Sequence, residues 1–427
     1  MRAARNALLL AGVALAFADS SIVVLALPDL LTRFDTSIQD VSWVITSYNV
    51  AVAFAALLAQ RWEPRALARA GASVFGLASL GCAVAGDLWL LVGLRAVQGV
   101  GGALLLAAAL PLLGAAGSRR FGLAATLGAA VGPALGGALT QAFDWRAIFV
   151  AQSPVVLLAL AVPRPAAAAD AGEAEAAPGG GRARRAAANL SLALLTGALV
   201  GALFLVVVLL VDGWRLSPLT AAGVASALPV GALAARGAAR SASRAPAVGA
   251  LLLAAGLASL AIVPRAAVGW PVGGLLLCGL GTGLALPSLT GWALAGARSG
   301  GTSVGARHLG LVLAFVAVTP LLTSSLSAGT ERAKLLGTAQ VLDAPYAIRT
   351  KVPLAVDLVR AIEHVPKGKA PDFSPQFARH PGTEGLHRQL DETVRSVVTR
   401  SFRGSFLLCA LLALTSLAPL PLARPRS

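Results

Sequence analysis

Twelve stretches of mostly apolar residues divide this chain, each of the ~20 residues that an α-helix needs to cross ~30 Å of hydrocarbon. They run about 7–30, 42–59, 70–86, 88–113, 121–142, 147–163, 188–211, 218–235, 246–263, 269–293, 308–327 and 404–422. Lipid offers no hydrogen bonds to an open backbone, so segments of this kind are confined to helices. Only 13% of the 427 residues are charged, against roughly 25% in a soluble domain. A chain of two or three soluble domains is therefore excluded. The expected fold class is an all-α membrane protein with twelve transmembrane helices.

The first segment follows a basic start, and Ala16-Phe17-Ala18 resembles a signal-peptidase site. The apolar run resumes at once through Ile22 to Leu27, so an uncleaved first span is expected. With the N-terminus inside, 18 arginines fall in inner connections and termini, Arg61, Arg65 and Arg307 among them. Only 4, Arg33, Arg146, Arg215 and Arg265, fall in short outer connections. Positive charge concentrates on the cytoplasmic side, so both termini are expected there. The net charge of +16 is spread in short bursts between spans, with no basic stripe interleaved with aromatics. That distribution excludes a nucleic-acid partner.

Two interruptions organise the chain. Residues 164–187 are rich in Ala, Gly, Pro, Glu and Arg, and read as a flexible cytoplasmic linker between halves 1–163 and 188–427. Residues 328–403 form an extracytoplasmic loop between spans 11 and 12, holding all four lysines and three of the four histidines. Within it, Leu354, Leu358, Ile362 and Val365 recur at helical spacing, as do Leu386, Leu390, Val394 and Val397. Two short amphipathic helices are expected, in a loop that is either simply solvated or a partner-binding lid.

Charges in hydrocarbon are costly and are usually retained for function. Sorting by topology leaves two within the spans, Asp19 and Arg95. Asp19 lies ~18 Å from the inner end of span one, and Arg95 ~10 Å from the outer start of span four. Similar depth and opposite sign allow them to pair or to share a cavity. Burial favours the neutral carboxyl and a nearby cation favours the carboxylate. A proton-coupling switch and a static ion pair that fixes helix register are both compatible with that placement. Gly128, Gly132 and Gly136 repeat every four residues around Pro133, giving a helix that packs closely and can bend.

Other signals carry less. Gly301-Thr302-Ser303-Val304-Gly305, with His308 nearby, matches the serine-hydrolase pattern but is placed in a cytoplasmic connection without the strand-turn-helix elbow. No metal-binding motif appears, and no enzyme chemistry is expected. His364, His380 and His387 are expected to be solvent-exposed. Cys82, Cys278 and Cys409 sit in apolar stretches as small fillers.

Several of these segments resemble the major facilitator superfamily, specifically its drug:proton antiporter branch of multidrug exporters. Ala18-Asp19-Ser20-Ser21 through Leu27-Pro28 resembles that branch's first-span signature. Trp43-Val44-Ile45-Thr46-Ser47-Tyr48 is similar to its second-span opening. Leu94-Arg95-Ala96-Val97-Gln98-Gly99-Val100-Gly101-Gly102 resembles the fourth-span motif, whose Arg the family assigns to proton handling. Gly128 to Gly137, including Gly132, Pro133 and Gly136, resembles the fifth-span antiporter motif, and Asp144-Trp145-Arg146 the approach to span six. The gating loop after span two departs from the family pattern: Arg61 and Arg65 remain, but its Asp is Gln60 and its second Gly is Glu63.

The resemblance implies two six-helix bundles around a central cavity, working by alternating access. It implies a monomer in the bacterial cytoplasmic (inner) membrane, with a small-molecule substrate, the lipid bilayer as surroundings, and no cofactor beyond the proton gradient. The leading expectation is proton-coupled export of small amphipathic or drug-like compounds. In that reading Asp19 and Arg95 couple protons to substrate, and Phe17, Trp43, Tyr48, Trp270 and Trp292 are candidates for the cavity wall. A free Asp19 favours cationic substrates, and a permanent Asp19–Arg95 pair favours neutral or zwitterionic ones. Alternatives are an importer of a narrow-range solute, or a non-transporting protein whose outer loop binds a ligand or partner.

Overall fold

The computed structural model describes residues 2–59, 62–113, 117–158, 181–235, 244–263, 267–294, 300–363 and 371–424. Among them no strand occurs. The N-terminal helices are α1 (Arg2–Ile22), α2 (Leu27–Arg33), α3 (Ile38–Leu58), α4 (Pro64–Ala83), α5 (Leu88–Leu113), α6 (Gly117–Ala142) and α7 (Arg146–Gln152). The C-terminal helices begin with α8 (Arg182–Val208), α9 (Pro218–Ala225), α10 (Ala227–Ala235), α11 (Ala245–Ala261), α12 (Gly269–Leu294) and α13 (Gly301–Asp343). They continue with α14 (Ile348–Glu363), α15 (Ser374–Ala378), α16 (Glu384–Ser401), α17 (Arg403–Thr415) and α18 (Leu420–Ala423).

Local chemistry sets the helix starts. The Ser37 hydroxyl accepts the amide of Asp40 at 3.0 Å and donates to its carboxylate at 2.7 Å, closing the first turn of α3. Ser217 caps α9 in the same way through Thr220 N at 3.2 Å, ahead of Pro218 at the first helical position. Glu63, one of the departures from the family loop, caps α4 by accepting Arg65 N at 2.8 Å and Ala66 N at 2.6 Å.

Nine helices among the described residues are long and apolar enough to span a bilayer, or ten if the bent α6 counts as one. Twelve were expected. The ninth expected span is α11, only 17 residues long. The sixth is described only to residue 158, as α7 and a 3-10 turn over Ser153–Leu157. Residues 164–180 of the expected linker, and Arg61, lie outside the described residues.

Small residues bring the helices together, as lipid gives apolar side chains no drive to leave it. A Cβ at Gly128 would strike the Ala14 carbonyl oxygen, one at Gly132 the Ser21 hydroxyl, and one at Gly136 the Ile22 carbonyl oxygen. The four-residue glycine spacing is therefore the seam between α6 and α1. The helix α6 bends by 40° between Ala129 and Val131.

The 328–403 stretch is far from a bare loop. Helix α13 continues 43 residues without a break, about 65 Å at 1.5 Å per residue, so it runs well beyond any bilayer core. The two expected amphipathic helices are α14 and α16, and they bury Leu354, Leu358, Leu386, Leu390 and Val394 with Phe373 and Phe377 in a separate small core. His387 stacks on Phe377 with ring centroids 4.6 Å apart, and His380 lies 3.2 Å from Asp357. These two histidines are thus half-buried rather than solvent-exposed, because the cap has an interior; His364 lies outside the described residues. The cap is tied to the connection after α8, past a π-helical turn over Leu209–Gly213, where Arg215, at a positive φ of 58°, pairs with Asp372 at 2.8 Å and with Asp391. Beside it the Trp214 indole donates to Thr399 Oγ1 at 2.9 Å.

Candidate functional site

The two charges singled out from the sequence meet. Asp19, near the end of α1, and Arg95, on α5, form an ion pair at 2.6 Å with both side chains fully buried. Their surroundings complete a polar cluster. Arg95 Nε donates to the Val44 carbonyl at 2.9 Å, and Arg95 Nη1 also donates to Gln98 Oε1 at 2.6 Å. The Gln98 amide faces Ser79 Oγ and Gln152 Oε1, each at 2.8 Å, and Asp19 Oδ1 at 3.5 Å. The Tyr48 ring covers the guanidinium at 4.5 Å from its centroid, while its hydroxyl donates to the Ala16 carbonyl at 2.8 Å. Gly99 and Gly102 allow this approach: a Cβ at Gly102 would stand 2.7 Å from the Tyr48 hydroxyl. Opposite charges removed from water and held by good hydrogen bonds are costly to separate, since either alone would be an unpaired charge in a dry interior.

Two further polar residues join the N-terminal helices to α13. His308 Nδ1 lies 2.7 Å from Asn49 Oδ1, which also accepts Ser20 Oγ at 3.0 Å. The Asn49 amide nitrogen is committed to the Ile45 carbonyl at 2.8 Å, so its oxygen is the acceptor and His308 Nδ1 the donor. Next to His308, Arg307 is 6% exposed and stacks over Phe17 at 4.6 Å. The sequence put Arg307 in a cytoplasmic connection and His308 at the first position of the eleventh span. The placement of Arg307 is corrected: the small residues Gly301 to Ala306 depress hydropathy but belong to the first turns of α13, where Gly305 packs against the Ala53 carbonyl and Leu57. The hydrolase-like run is likewise continuous helix.

Arg307 and His308 line a small cavity with Phe17, Ser20, Ser21, Ala129, Thr196, Leu199, Val200, Leu203 and Leu311. It lies between the N-terminal and C-terminal helices, which also touch each other elsewhere along their length. On one side Gly305 meets Ala53 and Leu57, and a Cβ at Gly122 would lie 3.2 Å from Thr290 Cγ2. On the other, Gly137 faces Ala222 and the Pro218 carbonyl. Of the aromatic candidates for the wall, Phe17 borders the cavity and Tyr48 the ion pair. Trp43 and Trp270 instead expose 44% and 41% of their surface and are absent from the cavity lining, the amphipathic indole being suited to a wet boundary. Trp292 packs partly buried against the main core. Arg65 is half-buried at the start of α4 and joins neither cluster.

Helices alone among the described residues, most of the long ones apolar spans, with a buried ion pair and polar bridge between them, define a polytopic membrane protein. The Major Facilitator Superfamily pattern matches residues 9–326, and the chain belongs to that family of transporters. It is 33% identical over 162 residues to the multidrug resistance protein Stp of Mycobacterium tuberculosis (strain CDC 1551 / Oshkosh), covering 35% of this chain and 30% of that protein. It is 34% identical over 153 residues to the lincomycin resistance protein of Streptomyces lincolnensis, covering 33% and 32%. The chain spans about a third of the length of these curated relatives. Among solved structures, an inward-facing, unoccupied bacterial homologue of the human lysosomal transporter Spinster superposes with a TM-score of 0.60 at 15% identity, covering 100% of this chain and 98% of that one. The xylose transporter XylE from E. coli gives 0.57 at 15% identity, covering 72% and 89%. These likenesses concern the fold.

Proposed function

We propose that this transporter is a proton-coupled exporter of small amphipathic or drug-like molecules, working by alternating access. The observation that carries the reading is the buried Asp19–Arg95 pair, set within segments that resemble drug:proton antiporter motifs. In this reading Asp19 takes a proton when its contact with Arg95 loosens and returns it when the pair reforms. Gln98 and Gln152 hold the alternative hydrogen bonds while that happens. The resistance functions named for the curated relatives support export over import. The arrangement we assign is twelve spans in two six-helix bundles, 1–163 and 188–427, with both termini in the cytoplasm of a bacterial cell and the 328–403 cap outside. The monomer is the proposed working unit.

The test is accumulation of a panel of dyes and antibiotics in efflux-deficient cells, with expression matched between wild type and Asp19→Asn. Wild type should lower accumulation of at least one compound. That effect should vanish in the variant and on collapse of the proton gradient. Export unaltered by Asp19→Asn would refute the coupling role.

A further inference from the structure

We infer that the small cavity between the two sets of helices, about 20 Å³ and so a pocket that must widen to admit a ligand, is an oxyanion site, and that the substrate is an amphipathic organic anion held by Arg307. The inference rests on the transporter reading above and names the substrate class. Arg307 is a cation nine-tenths buried, lining the cavity from α13. Among the described residues it has no carboxylate partner within 4 Å, and the Phe17 ring is its one close aromatic contact. Asp19, the acid of α1, is engaged by Arg95. A buried guanidinium without a counter-ion is expensive to keep. A ring face offsets only part of that cost. Its planar fork matches the two oxygens of a carboxylate or phosphate, so an anionic ligand supplies what the protein itself leaves out.

The other walls define the rest of the ligand. His308 donates through Nδ1 to Asn49, and its Nε2 is buried without a partner at the cavity edge. It is placed to meet a hydroxyl or N–H on the ligand. Phe17, Leu199, Val200, Leu203 and Leu311 offer apolar contact for a hydrocarbon body. Phe17 comes from the N-terminal helices and the other four from the C-terminal ones, so an anion bound here touches both sides of the interface. A substrate chosen by Arg307 differs from a cation drawn by a free acid. It also differs from the neutral or zwitterionic solute that the Asp19–Arg95 pair alone would allow.

The experiment uses the purified full chain in detergent. Thermal unfolding is followed with naphthalene-2-carboxylate, 2-naphthyl phosphate, naphthalene-2-carboxamide and 2-naphthylmethylammonium at equal concentrations. One or both anions should raise the melting temperature, and the amide and the ammonium should not. Carboxylate against phosphate then states which oxyanion fits. Arg307→Gln should weaken anion binding about tenfold or more, the scale of one lost hydrogen bond to a charged group, while Arg307→Lys retains part of it. Equal stabilisation by all four probes, stabilisation by none, or unchanged anion binding in a folded Arg307→Gln would overturn the inference. Size-exclusion profiles establish that each variant is folded. Anion binding without proton-driven movement in vesicles would sink the exporter reading alone, and export of cationic dyes without anion binding would sink this one alone.

Discussion

The Ser21 hydroxyl stands 3.1 Å from the Ala129 carbonyl, the acceptor that Pro133 leaves without its usual helical donor four residues on. It lies slightly closer to the Ala18 carbonyl on its own helix, at 2.9 Å, so one proton serves both sides of the α1–α6 seam. Replacing Ser21 by Ala strips that donor from a partly buried carbonyl and should cost about 1–3 kcal/mol. In a Pro133→Ala background residue 133 regains its N–H, and the same change should cost less than about 1 kcal/mol. Thermal unfolding of the four proteins in detergent measures the cycle. Equal costs in both backgrounds would show that the two residues are independent.

Removing one half of the buried ion pair is worse than removing both. Asp19→Asn or Arg95→Gln alone should destabilise the chain by about 3–5 kcal/mol, because each leaves its partner stranded. The double substitution should recover folded yield while leaving export abolished. Fluorescence-detected size exclusion beside the dye assay separates the two effects. Folded yields of the single variants equal to wild type would contradict it.

Glycine positions along α6 should differ sharply from glycines facing outwards. Gly132→Ala and Gly136→Ala push a methyl into Ser21 and the Ile22 carbonyl, and should cost about 1–3 kcal/mol. Gly223→Ala meets nothing within 4 Å and should be neutral or slightly stabilising. Melting temperatures in one detergent check this ordering, and an equal effect at all three sites would contradict it.

The cap should loosen in acid. Desolvation pushes the Asp372 carboxyl up, but hydrogen bonds from Ser374 and the nearby Arg215 cation outweigh it and hold the group below its ordinary value. A depressed native value stabilises the fold above the unfolded value and loses that contribution as pH falls through the folded one. Protection of α16 amides in hydrogen exchange should therefore fall below about pH 4. Arg215→Ala should produce a similar loosening already at neutral pH. Unchanged exchange in that variant would place the docking elsewhere, for example on Trp214.

Apolar runs and lone charges made most of this architecture readable beforehand, and the misses share a cause. Asp19 and Arg95 stood out because a charge in a hydrophobic run is rare. Gln152, Ser79 and Asn49 did not, since uncharged polar residues barely disturb hydropathy; their importance appears only when the helices bring Ser79 and Gln152 to Gln98, and Asn49 to Ser20 and His308. Arg307 was misplaced because six small residues precede it and mimic a connection. The recoverable signal was glycine spacing: Gly301 and Gly305 stand four residues apart, a spacing that suits close helix contact as well as a turn. Beyond residue 327 the sequence showed the amphipathic faces of α14 and α16 but gave no hint that α13 runs on to support them.

The bent helix α6 has a mechanical consequence. It touches the C-terminal helices near both of its extremities, at Gly122 and at Gly137, with a joint between them at Ala129. A stiff rod fastened at two points must let go of both or neither. Under the alternating access proposed above, a jointed rod would swing one arm free while the other stays latched, so a single element would guard two doors without ever holding both ajar. Straightening the joint would then turn a valve into a leak.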